Sequence, residues 1–119
     1  MSKTMTREQI KHKLTAQEPM ILVEALPQQY FDKEHLPGAI NIPHDEIPQK
    51  ALELLPDKEA LIVVYCASSD CQNSKMATSS LQKMGYNNAH EYVEGKQHWL
   101  EDNGPIESTQ SINLLNLSK

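Results

Sequence analysis

Arginine is almost missing from this chain: among 119 residues, Arg7 is the only one. That excludes any mechanism needing a guanidinium fork in the middle of the chain, because lysine offers a point charge and not a planar pair of donors. Cysteine is also scarce. Cys66 and Cys71 are the only two, and in a cytosolic chain they read as reduced thiols, not as a structural staple. No apolar run approaches the roughly 18 residues needed to span a bilayer. The opening segment, MSKTMTREQIKHK, has no apolar h-region and so does not read as a signal peptide. The expectation is a cytoplasmic protein with no membrane partner. A net charge of -5 argues against nucleic acid as a partner, since such affinity rests on Lys and Arg meeting phosphates. The five histidines, His12, His35, His44, His90 and His98, show no paired metal-ligand spacing, and the cysteines are not a C-x2-C pair. No metal site is expected.

What is present suits one compact domain. Thr6 followed by Gln9 has the spacing of a capping box and predicts a helix over 6–17. The short apolar run MILVEA lies between Pro19 and Pro27 and predicts a strand over 20–24. A short helix follows in QQYFDKE. Pro37-Gly38 predicts a turn and 39–42 a short strand. Asp45 is a candidate cap for a helix over about 46–54 that must carry Pro48 in its first turn. Four aliphatic residues in a row at 61–64 predict the most buried strand, of the kind covered on both faces in a parallel sheet. A helix over about 74–84 closed by Gly85, a strand over 90–93 and a short helix in KQHWLED complete the order. Helices alternating with apolar strands imply an α/β domain with a mainly parallel sheet. In such sheets ligands bind beyond the carboxyl ends of the strands, which is where Cys66 falls.

The stretch VVYCASSDCQNSK raises the question of function. A loop curling from a strand into a helix near Ser74 can converge its amides above Cys66, forming an anion-binding nest. A thiolate held there has a lowered pKa and is a competent nucleophile. The small residues Ala67, Ser68 and Ser69 allow that curl. The bland reading stands beside it, because cysteine is often a small buried hydrophobe and Ser/Asp/Asn clusters often just make turns. The local sequence leaves both open.

Three segments in order resemble the rhodanese-like family over about residues 5 to 107. FDKEHLPGAINIP is similar to the family's GHIPGAINIP segment, with His35, Pro37, Gly38 and Ala39 on its fixed positions. LIVVYCASSDC resembles its strand, cysteine and loop. LQKMGYNNAHEYVEGKQHWLEDNGPIE resembles its closing segment. The resemblance implies an α/β fold with a central, mainly parallel five-stranded sheet flanked by helices on both faces. It implies one domain over 1–107, followed by a tail over 108–119. It also implies that Cys66 accepts a sulfane sulfur as a persulfide, with the loop Ala67, Ser68, Ser69, Asp70, Cys71 and Gln72 binding the substrate. No cofactor is implied.

Departures from the family pattern refine this expectation. Glu24-Ala25-Leu26 stands where the family often has Asp-Val-Arg, and Glu94-Gly95 stands for a Gly-Gly pair. Gln72 occupies the position where phosphatase-like members carry arginine, which argues against phosphate-ester hydrolysis. Asp70 in the loop disfavours a dianionic donor such as thiosulfate. The expected partner is a small sulfur donor or a persulfide-carrying protein, and the acceptor a thiol or cyanide. The chain is expected to act as a monomer or homodimer. Cys71 is a candidate resolving thiol for Cys66. A non-catalytic binding or redox-sensing module using Cys66 and Cys71 is the rival reading. Bland roles are expected for His35 (a loop tie), Trp99 (core) and Glu24 (internal hydrogen bonding), while Asp70 and Ser74 are candidate helix caps.

Overall fold

The computed structural model describes residues 3–108. The expected tail over 108–119 therefore lies, Ser108 apart, outside the described residues. Four strands, β1 (Ile21–Glu24), β2 (Ile40–Asn41), β3 (Ile62–Tyr65) and β4 (Ala89–Tyr92), form one parallel sheet in the order β2-β1-β3-β4. The helices are α1 (Arg7–Ala16), α2 (Gln28–Lys33), α3 (Ile47–Leu54), α4 (Asn73–Lys83) and α5 (Gly95–Glu101).

Each strand packs as its side-chain alternation dictates. In β3 all four residues are buried. Ile62 and Val64 join Val23, Ile47, Ala51, Leu55, Ala77, Leu81 and Tyr86 in a core beneath α3 and α4. Val63 and Tyr65 face the opposite layer, where Ile10 of α1 and Trp99 of α5 complete a second core with Leu22, Leu36 and Tyr92. The sheet is thus covered on both faces, as the unbroken apolar run anticipated.

Local chemistry sets the element ends. Thr6 and Gln9 close the capping box on α1, with bonds of 3.1 and 2.8 Å. Pro48 sits in the first turn of α3, where no amide donor is needed. Gly85, at φ +100, follows α4 just past its C-cap Met84. Ala39 N–H donates to Leu36 C=O across Pro37-Gly38, with Gly38 at φ +74, the chemistry of a type II turn.

Three expectations are corrected. The described residues form four strands, not five. The edge beside β4 is instead met by Lys3–Met5, which makes a single bridge at Thr4↔Glu91. Thr6 then caps α1 and turns the chain before a second pair can form. Asp45 does not cap α3; it lies inside a 3-10 turn at His44–Glu46, and α3 carries no side-chain cap. Neither Asp70 nor Ser74 caps α4, whose N-cap is Gln72, again with no side-chain bond.

A buried ion pair ties the layers together. Lys96 Nζ donates to Glu24 Oε2 at 2.9 Å, Tyr30 C=O at 3.1 Å and Glu34 C=O at 2.8 Å. Its three ammonium protons thus meet three acceptors. Tyr65 Oη donates to Glu24 Oε1 at 2.9 Å and accepts from Leu36 N–H at 3.1 Å. Burial pushes the Glu24 carboxyl up, while the Lys96 hydrogen bond and charge pull it back. The carboxylate that stands where the family often has aspartate therefore finds its cation in α5, not at position 26. Lys96→Ala strands a buried carboxylate and should cost about 3–5 kcal/mol. Urea unfolding should show this as a lower midpoint with an unchanged slope.

Candidate active site

Cys66 follows β3 directly and is fully buried. It stands where β1 and β3 send their following segments to opposite sides of the sheet, the switch point at which parallel α/β sheets place their ligands. The start of the loop is fixed by α5: Lys96 N–H donates to Cys66 C=O and Gln97 N–H to Ala67 C=O, each at 2.8 Å. Gly95 permits this approach. It lies at φ +77, and a Cβ there would meet the Cys66 carbonyl oxygen at 2.7 Å. Farther on, Cys71 N–H donates to Ser68 C=O at 3.1 Å and closes the loop on itself.

The sulfur has two acceptors in reach. Cys66 Sγ lies 3.5 Å from Cys71 C=O and 3.3 Å from Ser74 Oγ. Ser74 is buried at the start of α4, and its hydroxyl donates to Glu91 Oε2 at 2.7 Å. Burial and the neighbouring Cys71 side chain push the Cys66 thiol up from an ordinary 9.0 to about 11, against a smaller downward pull from Ser74, whose amide faces the sulfur and whose hydroxyl lowers the thiol only when it donates to it. The direction is opposite to the lowered value expected of an amide nest. A carbonyl aimed at the sulfur and a dry site both favour the neutral thiol. Both cysteines are free, Cys66 buried and Cys71 half-buried.

The rest of the loop is open. Ala67, Ser69, Asp70 and Gln72 are exposed and Ser68 is half-buried. Beside it a groove of about 240 Å³ is lined by Ser68, Ser69, Glu94, Gln97, His98 and Glu101. Among the described residues two carboxylates and no lysine or arginine line this groove, and Asp70 is in the adjoining loop. Among the described residues no three His, Cys, Asp or Glu side chains are grouped so as to hold a metal ion, and no helix is long and apolar enough to cross a membrane.

Residues expected to be structural are so placed. His35 Nδ1 pairs with Phe31 C=O at 2.7 Å, its ring stacks on Phe31, and its backbone bridges Glu107. Trp99 is fully buried, with its indole N–H on Pro105 C=O at 2.7 Å. Sequence reasoning missed Glu91 and Lys96, and treated Ser74 only as a cap. One signal was available for each. Glu91 shares a sheet face with core residue Ala89, and Lys96 lies three residues before buried Trp99, on the same side of α5.

A parallel α/β domain with a cysteine at the carboxyl edge of its central strand, anchored by backbone bonds from the last helix, defines a recognisable class. Residues 6–102 match the rhodanese-like domain, and the chain belongs to that family. It is 39% identical over 61 residues to the thiosulfate sulfurtransferase PspE of Escherichia coli, covering 51% of this chain and 56% of that protein. It is 30% identical over 89 residues to the adenylyltransferase and sulfurtransferase UBA4 of Meyerozyma guilliermondii, covering 69% of this chain and 20% of that one. The crystal structure of the BH2092 protein from Bacillus halodurans superposes with a TM-score of 0.83 at 25% identity, covering 91% of this chain and 78% of the other. This chain therefore spans between a fifth and just over half of the length of these two curated relatives.

A thiol raised from 9.0 to about 11 carries about a hundredfold less thiolate near pH 8 than an ordinary one. Iodoacetamide should therefore label half-buried Cys71 first. Labelling of Cys66 in the wild type, resolved from Cys71 by peptide mass spectrometry, should keep rising with pH toward 11 and not level off near 9.

Proposed function

We propose that this domain is a sulfurtransferase in which Cys66 carries a sulfane sulfur. The observation that carries the reading is the placement of Cys66 at the carboxyl edge of β3, with its carbonyl pinned by Lys96 N–H at 2.8 Å. The sulfurtransferase names of two relatives support it. In the first displacement the Cys66 thiol loses its proton and attacks the outer sulfur of a donor. The donor's S–S bond breaks, its thiolate leaves with a proton, and Cys66 becomes a persulfide. In the second, an acceptor thiolate or cyanide attacks that outer sulfur and Cys66 leaves as thiolate. No net oxidation occurs, and ping-pong kinetics follow.

The surroundings favour a persulfide donor, small or carried by a protein, over thiosulfate. Glu94 and Glu101 line the neighbouring groove, Asp70 is exposed in the loop, and their field repels a dianion. Whether thiosulfate serves here as it does for PspE is therefore a point of difference to test. Cys71 adds a second possible outcome. Its thiolate can attack the inner sulfur of the Cys66 persulfide, expelling hydrosulfide and closing a disulfide: two thiols are oxidised as the sulfane sulfur is reduced. Cys71, whose carbonyl lies 3.5 Å from the Cys66 sulfur, is near enough to favour this variant, which resembles a redox module.

Intact-mass spectrometry after incubation with glutathione persulfide, and separately with thiosulfate, tests the proposal. Wild type and Cys71→Ser should each gain one cyanide-labile sulfur, more from the persulfide than from thiosulfate, and Cys66→Ser should gain none. No gain from either donor overturns the sulfurtransferase reading. A two-proton mass loss in wild type that is absent from Cys71→Ser marks the disulfide route.

A further inference from the structure

The hydrogen-bond chain behind Cys66 contains more information than the position of the sulfur. Cys66 Sγ is 3.3 Å from Ser74 Oγ, and Ser74 Oγ is 2.7 Å from Glu91 Oε2. A serine hydroxyl has one proton and two lone pairs. It can give that proton to the carboxylate or to a thiolate, but not to both. The carboxylate bond is shorter and charge-assisted, and bonds of that kind are about twice as strong as neutral ones. With its proton on the Glu91 side, the Ser74 hydroxyl offers the sulfur only lone pairs, and the Ser74 amide is the donor that this residue keeps toward it. Lone pairs accept from S–H and repel S⁻.

We propose that Glu91 is a positioning residue for Cys66: by holding the Ser74 proton it keeps that hydroxyl an acceptor, and so keeps the sulfur a protonated thiol at rest. Ser74 is the coupling element and Cys71 C=O, 3.5 Å from the sulfur, acts in the same sense. Anything that draws the Glu91 charge elsewhere frees the Ser74 proton to turn toward sulfur and stabilise the thiolate. The consequence for sulfur transfer rests on the reading of Cys66 as the sulfur carrier. The coupling itself is a property of the thiol and needs no donor.

The groups around this chain come from every neighbouring element. The loop supplies Cys71, α4 supplies Ser74, and β4 supplies Glu91. Lys96 of α5 points its ammonium at Glu24, away from the sulfur's own partners. Asp70 and Lys75 flank the loop and are exposed. On β4, Tyr92 belongs to the opposite core, and His90 alternates to that same side. Across the β4 edge the Lys3–Met5 segment meets Glu91 through its backbone.

The test is the pH profile of iodoacetamide labelling of Cys66 in a Cys71→Ser background, comparing Glu91 with Glu91→Gln and Glu91→Ala, each with and without Ser74→Ala. Thermal melts identify any variant that fails to fold, and two replacements at position 91 guard against one failing. If the proposal holds, both replacements shift the labelling midpoint at least about one pH unit lower, which is about a tenfold faster rate at pH 8. Ser74→Ala abolishes that shift, because the coupling runs through its hydroxyl. A midpoint that stays or rises overturns the proposal, and slower labelling at every pH would instead make Glu91 a proton acceptor. Because no sulfur donor is used, failure here leaves the persulfide result standing. A downward shift without any persulfide would conversely keep the coupling and remove the sulfurtransferase.

Discussion

Lys96 holds together the parts of this domain that matter for its chemistry. Its amide binds the Cys66 carbonyl, and its ammonium binds Glu24 and two carbonyls around α2. One residue thus connects α5, the loop after β3, the end of β1 and the segment that follows it. A buried charge tolerates this position only when every donor is satisfied, and here each is. The geometry has little slack: Gly95 must lack a side chain for the loop carbonyl to come close, and Trp99, three residues on, locks α5 into the core.

The setting of the sulfur follows from that frame. A cysteine at the end of a fully buried strand inherits the dryness of the strand, and dryness favours a neutral thiol. The loop beyond it is exposed and flanked by carboxylates, so charge around the entrance has the sign that discourages anions.

Much of the fold was legible in the sequence because its signals are local. The apolar run at 61–64, the Thr6–Gln9 box and the Pro37-Gly38 turn each specify structure within a few residues. The family resemblance supplied the order of the pieces. What was not legible is long-range. Lys96 meets Glu24 across 72 positions, and Glu91 meets Ser74 across 17. Neither contact leaves a mark in composition or period beyond a polar residue on a buried face. The lowered thiol expected from a loop of small residues failed for the same reason, since the loop sequence does not reveal how deeply the sulfur is buried or that the Cys71 side chain adjoins it. The fifth strand came with the resemblance alone: the local signals mark four strands, at 20–24, 39–42, 61–64 and 90–93, and the described residues form four.

The single bridge at Thr4 has a further effect. A sheet edge with free amides and carbonyls is a template for pairing with another chain, and folded proteins cover or interrupt such edges. Lys3 C=O and Met5 N–H take up both backbone groups of Glu91, so the outer rim of β4 is sealed at its middle by three residues. That seal clamps the backbone of the residue whose carboxylate reaches Ser74. Protection against aggregation and the bearing of the carboxylate behind the sulfur thus share one short piece of chain.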